Sequence, residues 1–175
     1  MTELRELAVE GVREASAALY RLGEEAPLRA EDAAAVAAGR CPLGDLAAQQ
    51  ATVDSWGRRS LADVRTAAEG GELSAQLVLG HCLRTGAKGS PRDAAQALVW
   101  LRRAASGNSA HAQAALGASH AGGLLGLAAD GAEAARWLAR AAAHGDADSK
   151  KRLLELAGAG VAEAVAAARR LGFAP

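Results

Sequence analysis

The chain has 175 residues, of which 50% are hydrophobic, and its 20 acidic and 20 basic side chains balance each other. This length and apolar content suffice for one domain with a full core. The neutral balance and the lack of a dense Lys/Arg run argue against a DNA- or RNA-binding protein, because such proteins carry a basic excess that neutralises phosphates.

Composition also predicts the class of secondary structure. Alanine, the strongest helix former, is the commonest residue, whereas strand formers such as Ile and Tyr are nearly absent. Only 3% of the residues are aromatic. We therefore predict an all-α protein without any strand.

The start of the chain does not resemble an export signal. Acidic Glu3 and Glu6 stand where a secretory signal has basic residues, and no apolar core of a signal follows. The longest stretch of small and apolar residues, 121–129, is far shorter than the roughly 20 residues of a membrane-spanning helix. Cys41 and Cys82 could form one disulfide at most. We expect a cytoplasmic protein, outside the membrane, whose cysteines remain thiols.

The first 59 residues show helical periodicity without the repeat described below. One amphipathic helix is predicted over 4–22 and a second over 30–38, with glycine or proline at their ends. A short helix is predicted from 45 to about 52. This segment is interpreted either as a helical cap on the rest of the chain or as the part that gives the protein its individual function.

A shift of 37 residues aligns two later parts of the chain with each other. The matched pairs include Ala75-Gln76 with Ala112-Gln113, Leu79-Gly80 with Leu116-Gly117, Gly86 with Gly123, Asp93 with Asp130, and Trp100-Leu101 with Trp137-Leu138. Because tryptophan and glycine are among the matches, an alanine-rich composition does not explain them. The chain therefore contains a tandem repeat.

The first unit is predicted to form two helices. Ser74 or Glu72 begins the first helix, and the glycines of 86–89 end it. Ser90 is predicted to be the N-cap of the second helix, followed by Pro91 in its first turn and by Asp93 returning the cap. Gly107 is predicted to end this second helix.

The same signals recur along the chain. In the second unit, Asp130 to Glu133 is a capping box and Gly145 is the predicted stop. Upstream, Ser60 to Asp63 is another capping box, which indicates a divergent preceding unit. Downstream, 146–156 is predicted to be a further first helix and 161–171 a second helix, with Leu153 at the position of Leu79.

These residues resemble the Sel1-like repeat, a relative of the tetratricopeptide repeat. Its first helix carries A-x-x-x-L-G-x-x-Y and its second A-x-x-W-x-x-x-A-A-x-x-G, which correspond here to 75–83 and to the segment that begins at Ala97. The resemblance covers 60–157. It implies a right-handed α-solenoid over 60–175, with clear units at about 74–109 and 110–146, a degenerate C-terminal cap at 147–175, and a helical cap at 1–59.

The resemblance also implies a protein-interaction scaffold or adaptor whose partner, a protein or a peptide, lies on a concave surface lined by the first helices. Gln76, Arg84 and Gln113 are predicted to point away from the Leu79/Leu116 packing line and to contact that partner. Two alternatives remain: an accessory subunit that docks on an enzyme through its N-terminal helices, and a metal- or thiol-dependent enzyme. The paired cysteines of the secreted branch of the family are absent.

His81 and His120 are the candidate ligand or metal residues. Neither C-x₂-C nor H-x₃-H spacing occurs, so we expect no metal site and no cofactor. His120 is preferentially interpreted as a hydrogen-bonded core residue, and His81 and His144 as surface residues. Neither Cys41 nor Cys82 has the local signature of a catalytic cysteine, and no catalytic residue is predicted.

Three tryptophans complete the set of candidate residues. Trp100 and Trp137 occupy equivalent places in the two units, so they are predicted to be core anchors rather than ligand-stacking side chains. Trp56 has no equivalent. It is predicted to pack under the N-terminal cap or to lie in a partner interface.

Overall fold

The computed structural model describes residues 46–173, and within this range every regular element is helical, as predicted. The elements are α1 (Leu46–Gly57), α2 (Leu61–Glu69), α3 (Leu73–Thr85), α4 (Ala94–Ser106), α5 (Ala110–Gly122), α6 (Gly131–Ala143), α7 (Ala147–Gly158) and α8 (Ala162–Arg170), with a 3₁₀ turn at Ala87–Gly89. The helices predicted over 4–22 and 30–38, and Cys41, lie outside the described residues.

The helices pack in the order of a repeat protein. Within a unit α3 packs against α4 and α5 against α6, and between units α2 packs against α3, α4 against α5, and α6 against α7. Each unit therefore contacts its neighbours along the chain, which is the architecture of an α-solenoid. No helix within 46–173 is both long and apolar enough to cross a bilayer.

One leucine position forms the centre of each unit. Leu79, Leu116 and Leu153 lie at the same place in α3, α5 and α7, and each is at most 1% exposed. Full burial of such a side chain contributes about 1.5–3 kcal/mol. The predicted alignment of Leu153 with the two earlier leucines is thus matched by its burial.

The apolar core is divided into three clusters along the chain. The first consists of Val64, Ala68, Ala75, Val78, Leu79, Cys82, Leu83 and Ala97. The second consists of Leu77, Leu101, Ala104, Ala105, Ala112, Leu116 and Trp137. The third consists of Ala135, Leu138, Ala139, Ala142, Ala143, Leu153, Ala164, Ala167 and Leu171. Each cluster draws on more than one unit, so no unit buries its apolar face alone.

The Leu-Gly pairs of α3 and α5 bring the two helices of each Sel1-like unit close together. A Cβ added at Gly80 would lie 3.0 Å from Leu101 Cγ, and one added at Gly117 would lie 2.7 Å from Leu138 Cγ. An added Cβ would force a shift of the neighbouring helix at Gly117 and would be tightly packed at Gly80. The glycine in the motif is therefore a packing requirement.

Most helix starts agree with the sequence, but the start of α4 does not. Ser60 and Asp146 cap α2 and α7, as predicted, and Asp130 accepts hydrogen bonds from the first turn of α6. The N-cap of α4 is Asp93 rather than Ser90: its Oδ1 accepts from Gln96 N at 2.9 Å. The prediction from Ser90 and Pro91 is wrong because these residues belong to the extended loop before the helix.

The two repeat tryptophans are not equally buried. Trp137 is 3% exposed and belongs to the second cluster, whereas Trp100 is half-buried and packs on the edge of the first. The guanidinium of Arg103 lies 4.6 Å from the Trp100 ring centroid, and that of Arg140 lies 5.0 Å from the Trp137 centroid. Trp137 is thus a core anchor as predicted, and Trp100 is one only in part.

α7 and α8 are the last helix pair of the described residues. Only residues 159–161 separate these helices, whereas eight residues separate α3 from α4. The N-cap of α8, Val161, makes no side-chain capping bond. Since α8 packs on both α6 and α7, this shortened unit covers the third cluster.

Candidate functional site

Gln76 and Gln113 are buried, so the prediction that they point away from the packing is wrong. Their exposed fractions are 7% and 2%. Gln76 Nε2 donates to the Ala68 carbonyl at 3.1 Å, and Gln113 Nε2 donates to the Ala105 carbonyl at 3.2 Å. Ala68 and Ala105 lie in the last turns of α2 and α4. The two glutamines therefore tie each first helix to the helix before it and are not available to a partner.

Arg84 is exposed near the end of α3 and contacts His81 one turn earlier. The Arg84 Nη2 lies 3.1 Å from His81 Nδ1, and because a guanidinium can only donate, this ring nitrogen is the acceptor. Desolvation lowers the pKa of His81, and the charge of Arg84 lowers it further. Both effects favour the neutral imidazole of His81, whose Nδ1 is occupied, and the neighbouring cation opposes metal binding.

His120 lies inside the second unit, where the sequence places it. Its side chain is 9% exposed, and burial lowers the pKa of His120. The carboxylates of Glu133 and Asp130 raise that pKa in part, while Arg102 lowers it. The backbone carbonyl of His120 accepts from Asp130 N at 2.9 Å, so this residue also positions the start of α6.

His144 is fully buried, which corrects its interpretation as a surface residue. Its Nε2 lies 3.2 Å from Asn108 Oδ1, and the same oxygen accepts from Gln113 Nε2 at 3.1 Å. Asn108 adopts a left-handed backbone with φ 72°. These three side chains join the end of α6 to the junction between α4 and α5. The preceding units have Gly70 and Gly107 at the position of His144, so the repeat itself predicts no buried side chain there.

Cys82 is buried in the first cluster. Burial raises the pKa of the Cys82 thiol, although Lys88 lowers it in part, and a protonated thiol is a poor nucleophile. Among residues 46–173, no three His, Cys, Asp or Glu side chains come together as a metal-binding group. Of the two candidate histidines, His81 is exposed and His120 is buried.

The sequence predicts a helix at α1 but not where it packs. In the structure α1 lies against the first helices. It is longer than predicted, because it continues to Gly57, and it packs against α3. Val53 contacts both the first and the second cluster, and Trp56 contacts the first. Gln49 Oε1 accepts from Ala110 N at 2.9 Å, at the start of α5. In the sequence, the spacing of residues 49, 53 and 56 indicates that they share one helix face, which is the face that packs here.

The end of α1 is held by a lysine from the first unit. Lys88 Nζ donates to the carbonyl oxygens of Gly57 at 2.8 Å and Arg59 at 2.5 Å. A cation at the C-terminal end of a helix also interacts favourably with the helix dipole. α1 therefore extends from the start of α5 to the loop that follows α3.

The remainder of the first-helix face is exposed. Arg84, Ala121 and Gly158 occupy the same position in the last turns of α3, α5 and α7, and all three are exposed. One turn earlier, His81 and Glu155 are exposed and Ala118 is half-buried. We call these six residues the open face. It carries a cationic group on α3, only small side chains on α5 and a carboxylate on α7, so it is shallow at its centre.

Comparison with known families identifies the two central units. Residues 73–109 and 110–146 each match the Sel1 repeat family model. The matched span runs from α3 through α6, so the resemblance inferred from the residues is confirmed for these units. No curated protein and no solved structure gives a significant match to the chain.

Proposed function

We propose that this chain, in which residues 73–146 form two tandem Sel1 repeats, is a scaffold that binds another protein through its first-helix face. Sel1 repeats are commonly protein-interaction modules, and the family is typically non-enzymatic. The observation that carries the proposal is the open face: in three successive units the packing leaves the same position of the first helix exposed.

The chemistry of the open face defines the partner. Arg84 presents a guanidinium, which favours a carboxylate on the partner. Ala118, Ala121 and Gly158 project little from the backbone, so a peptide or a helix can approach closely. A protein segment with an acidic side chain beside small or apolar residues fits this surface. We also propose a cytoplasmic location, where the buried Cys82 would remain a free thiol.

The test is capture of the partner from an extract of the source cell by the immobilised chain, followed by identification of the captured protein. Arg84→Glu reverses the charge and Ala118→Arg fills the shallow surface, so each should reduce capture at least about tenfold. Arg170→Glu changes an exposed charge on α8 and should not. If no protein is captured, or if both face variants capture as well as wild type, the proposal is wrong.

A further inference from the structure

We propose that α1 is the displaceable occupant of a helix-binding groove, and that the partner presents an amphipathic helix which takes its place. The groove is bounded by α3, by the start of α5 and by Lys88. This inference rests on the proposed function, because it specifies what kind of protein segment the first-helix face binds. It commits to a helix with anchoring side chains at positions i, i+4 and i+7, as Gln49, Val53 and Trp56 have in α1.

The packing of α1 differs from that of every repeat helix. Its main contact is with α3, not with α2, which follows it in the chain. No residue of α1 whose burial is described is fully buried, whereas each helix from α2 to α8 contributes buried side chains. Of the α1 side chains that the structure describes, Val53 and Trp56 reach the core clusters. α1 thus lies on the surface of the solenoid rather than within its core.

Repeat equivalence shows which part of the face α1 covers. Leu77 and Val78 on α3 are each 7% exposed, whereas the equivalent Ala114 and Ala115 on α5 are half-buried. The groove therefore lies over the first unit, beside the open face. A partner helix in the groove could also contact Arg84, which α1 leaves exposed.

The two ends of the groove recognise different features of a helix. Lys88 binds two main-chain oxygens at the C-terminal end of α1, and free carbonyls occur at the end of every helix. At the other end, the Ala110 N–H binds a side-chain amide oxygen. The partner helix must therefore run in the direction of α1, with its C-terminal end at Lys88.

The short connection between α1 and α2 determines when a partner helix can displace α1. α1 is joined to α2 by residues 58–60 alone, and a tether this short gives an effective concentration in the millimolar range. A free helix with only the contacts of α1 cannot compete with it. The partner must add contacts, and the open face next to the groove provides the surface for them.

The first test uses a fluorescein-labelled peptide with the sequence of residues 46–59 as the probe and fluorescence anisotropy as the readout. The full chain carrying Val53→Asp and Trp56→Ala should bind the probe at least about tenfold more tightly than the wild-type chain, in which α1 competes. Adding Lys88→Ala should weaken binding again. A peptide with alanine in place of the valine and the tryptophan should not bind.

The second test uses hydrogen exchange in the wild-type chain, which does not depend on how a variant folds. Amides of α1 should exchange at least about 100-fold faster than those of α5, because α1 opens locally. Equal protection of α1 and α5, or a folded variant that does not bind the probe, would overturn the proposal. If that happens while Arg84→Glu still abolishes partner capture, the scaffold function stands and the groove alone is rejected. If the probe binds but the chain captures no protein, the groove is supported and the scaffold function fails.

Discussion

Single side chains at the junctions between units differ from one unit to the next, although the repeat aligns them. A Cβ added at Gly107 would lie 2.1 Å from Leu73 Cδ2, so Leu73 occupies the space of a side chain at that position. One repeat later, fully buried His144 aligns with Gly107, and Ala110 aligns with Leu73. Each of these two places thus contains one large side chain. It is Leu73, from the first helix, in the first case and His144, from the end of the second helix, in the other.

Gln113 provides the prediction at the residue scale. Its Nε2 donates to the Ala105 carbonyl and to Asn108 Oδ1, and both bonds are lost in Gln113→Ala. Removing a buried hydrogen-bonding partner costs about 1–3 kcal/mol. Gln96→Ala is the matched control: it removes an exposed hydrogen bond, from Gln96 Nε2 to Asp93 Oδ2, and should change the free energy of unfolding by less than about 0.5 kcal/mol.

Denaturant unfolding of both variants measures the difference. Gln76→Ala removes a single bond, to the Ala68 carbonyl, and should lie between the other two. A Gln113→Ala protein as stable as the Gln96→Ala protein would show that the inter-unit bonds contribute nothing.

At the scale of helices, the close approach of α5 and α6 depends on Gly117. In Gly117→Ala the new Cβ would lie 2.7 Å from Leu138 Cγ and 3.2 Å from the Leu138 backbone nitrogen. The side chain can rotate, but the backbone of α6 must shift. We expect a loss of about 1–3 kcal/mol in the free energy of unfolding, the usual cost of overpacking.

Gly158→Ala is the control for this effect. Nothing lies within 4 Å of a Cβ at Gly158, so the substitution adds only helix propensity and should stabilise by up to about 1 kcal/mol. Thermal unfolding followed by circular dichroism compares the two variants. We expect the two substitutions to change the free energy of unfolding in opposite directions. Destabilisation by both would mean that glycine is needed for a reason other than contact between helices.

At the scale of the whole molecule, stability should be distributed along the solenoid. Leu79 and Leu153 occupy the same repeat position but belong to the first and third clusters. Replacing either by Ala should cost about 2–5 kcal/mol. Because repeats interact mainly with their neighbours, the loss should be local.

Hydrogen exchange followed by mass spectrometry distinguishes a local from a global effect. Leu79→Ala should lower protection chiefly in α2 and α3, and Leu153→Ala chiefly in α7 and α8. A uniform loss in both variants would show that the described part of the chain unfolds as one cooperative unit.

The local features of this fold follow from the sequence alone. Alanine content predicts helices, the offset between Trp100 and Trp137 reveals the repeat, and Ser60 and Asp146 mark helix starts. All of these depend on neighbours within about one helical turn or on comparison of the chain with itself. The division into segments 1–59 and 60–175 remains a prediction.

Burial of polar side chains and the position of α1 were decided only by the tertiary structure. The sequence predicts Gln113 to be a surface residue, because the end of the preceding helix, which buries it, is not part of its local sequence. His144 is also predicted to be exposed, because its repeat equivalents are glycines. Gln49 bonds Ala110, 61 residues away, and no periodicity within α1 identifies that contact. Helix formation is a local property of the chain, whereas the surface a side chain meets depends on distant segments that only folding brings together.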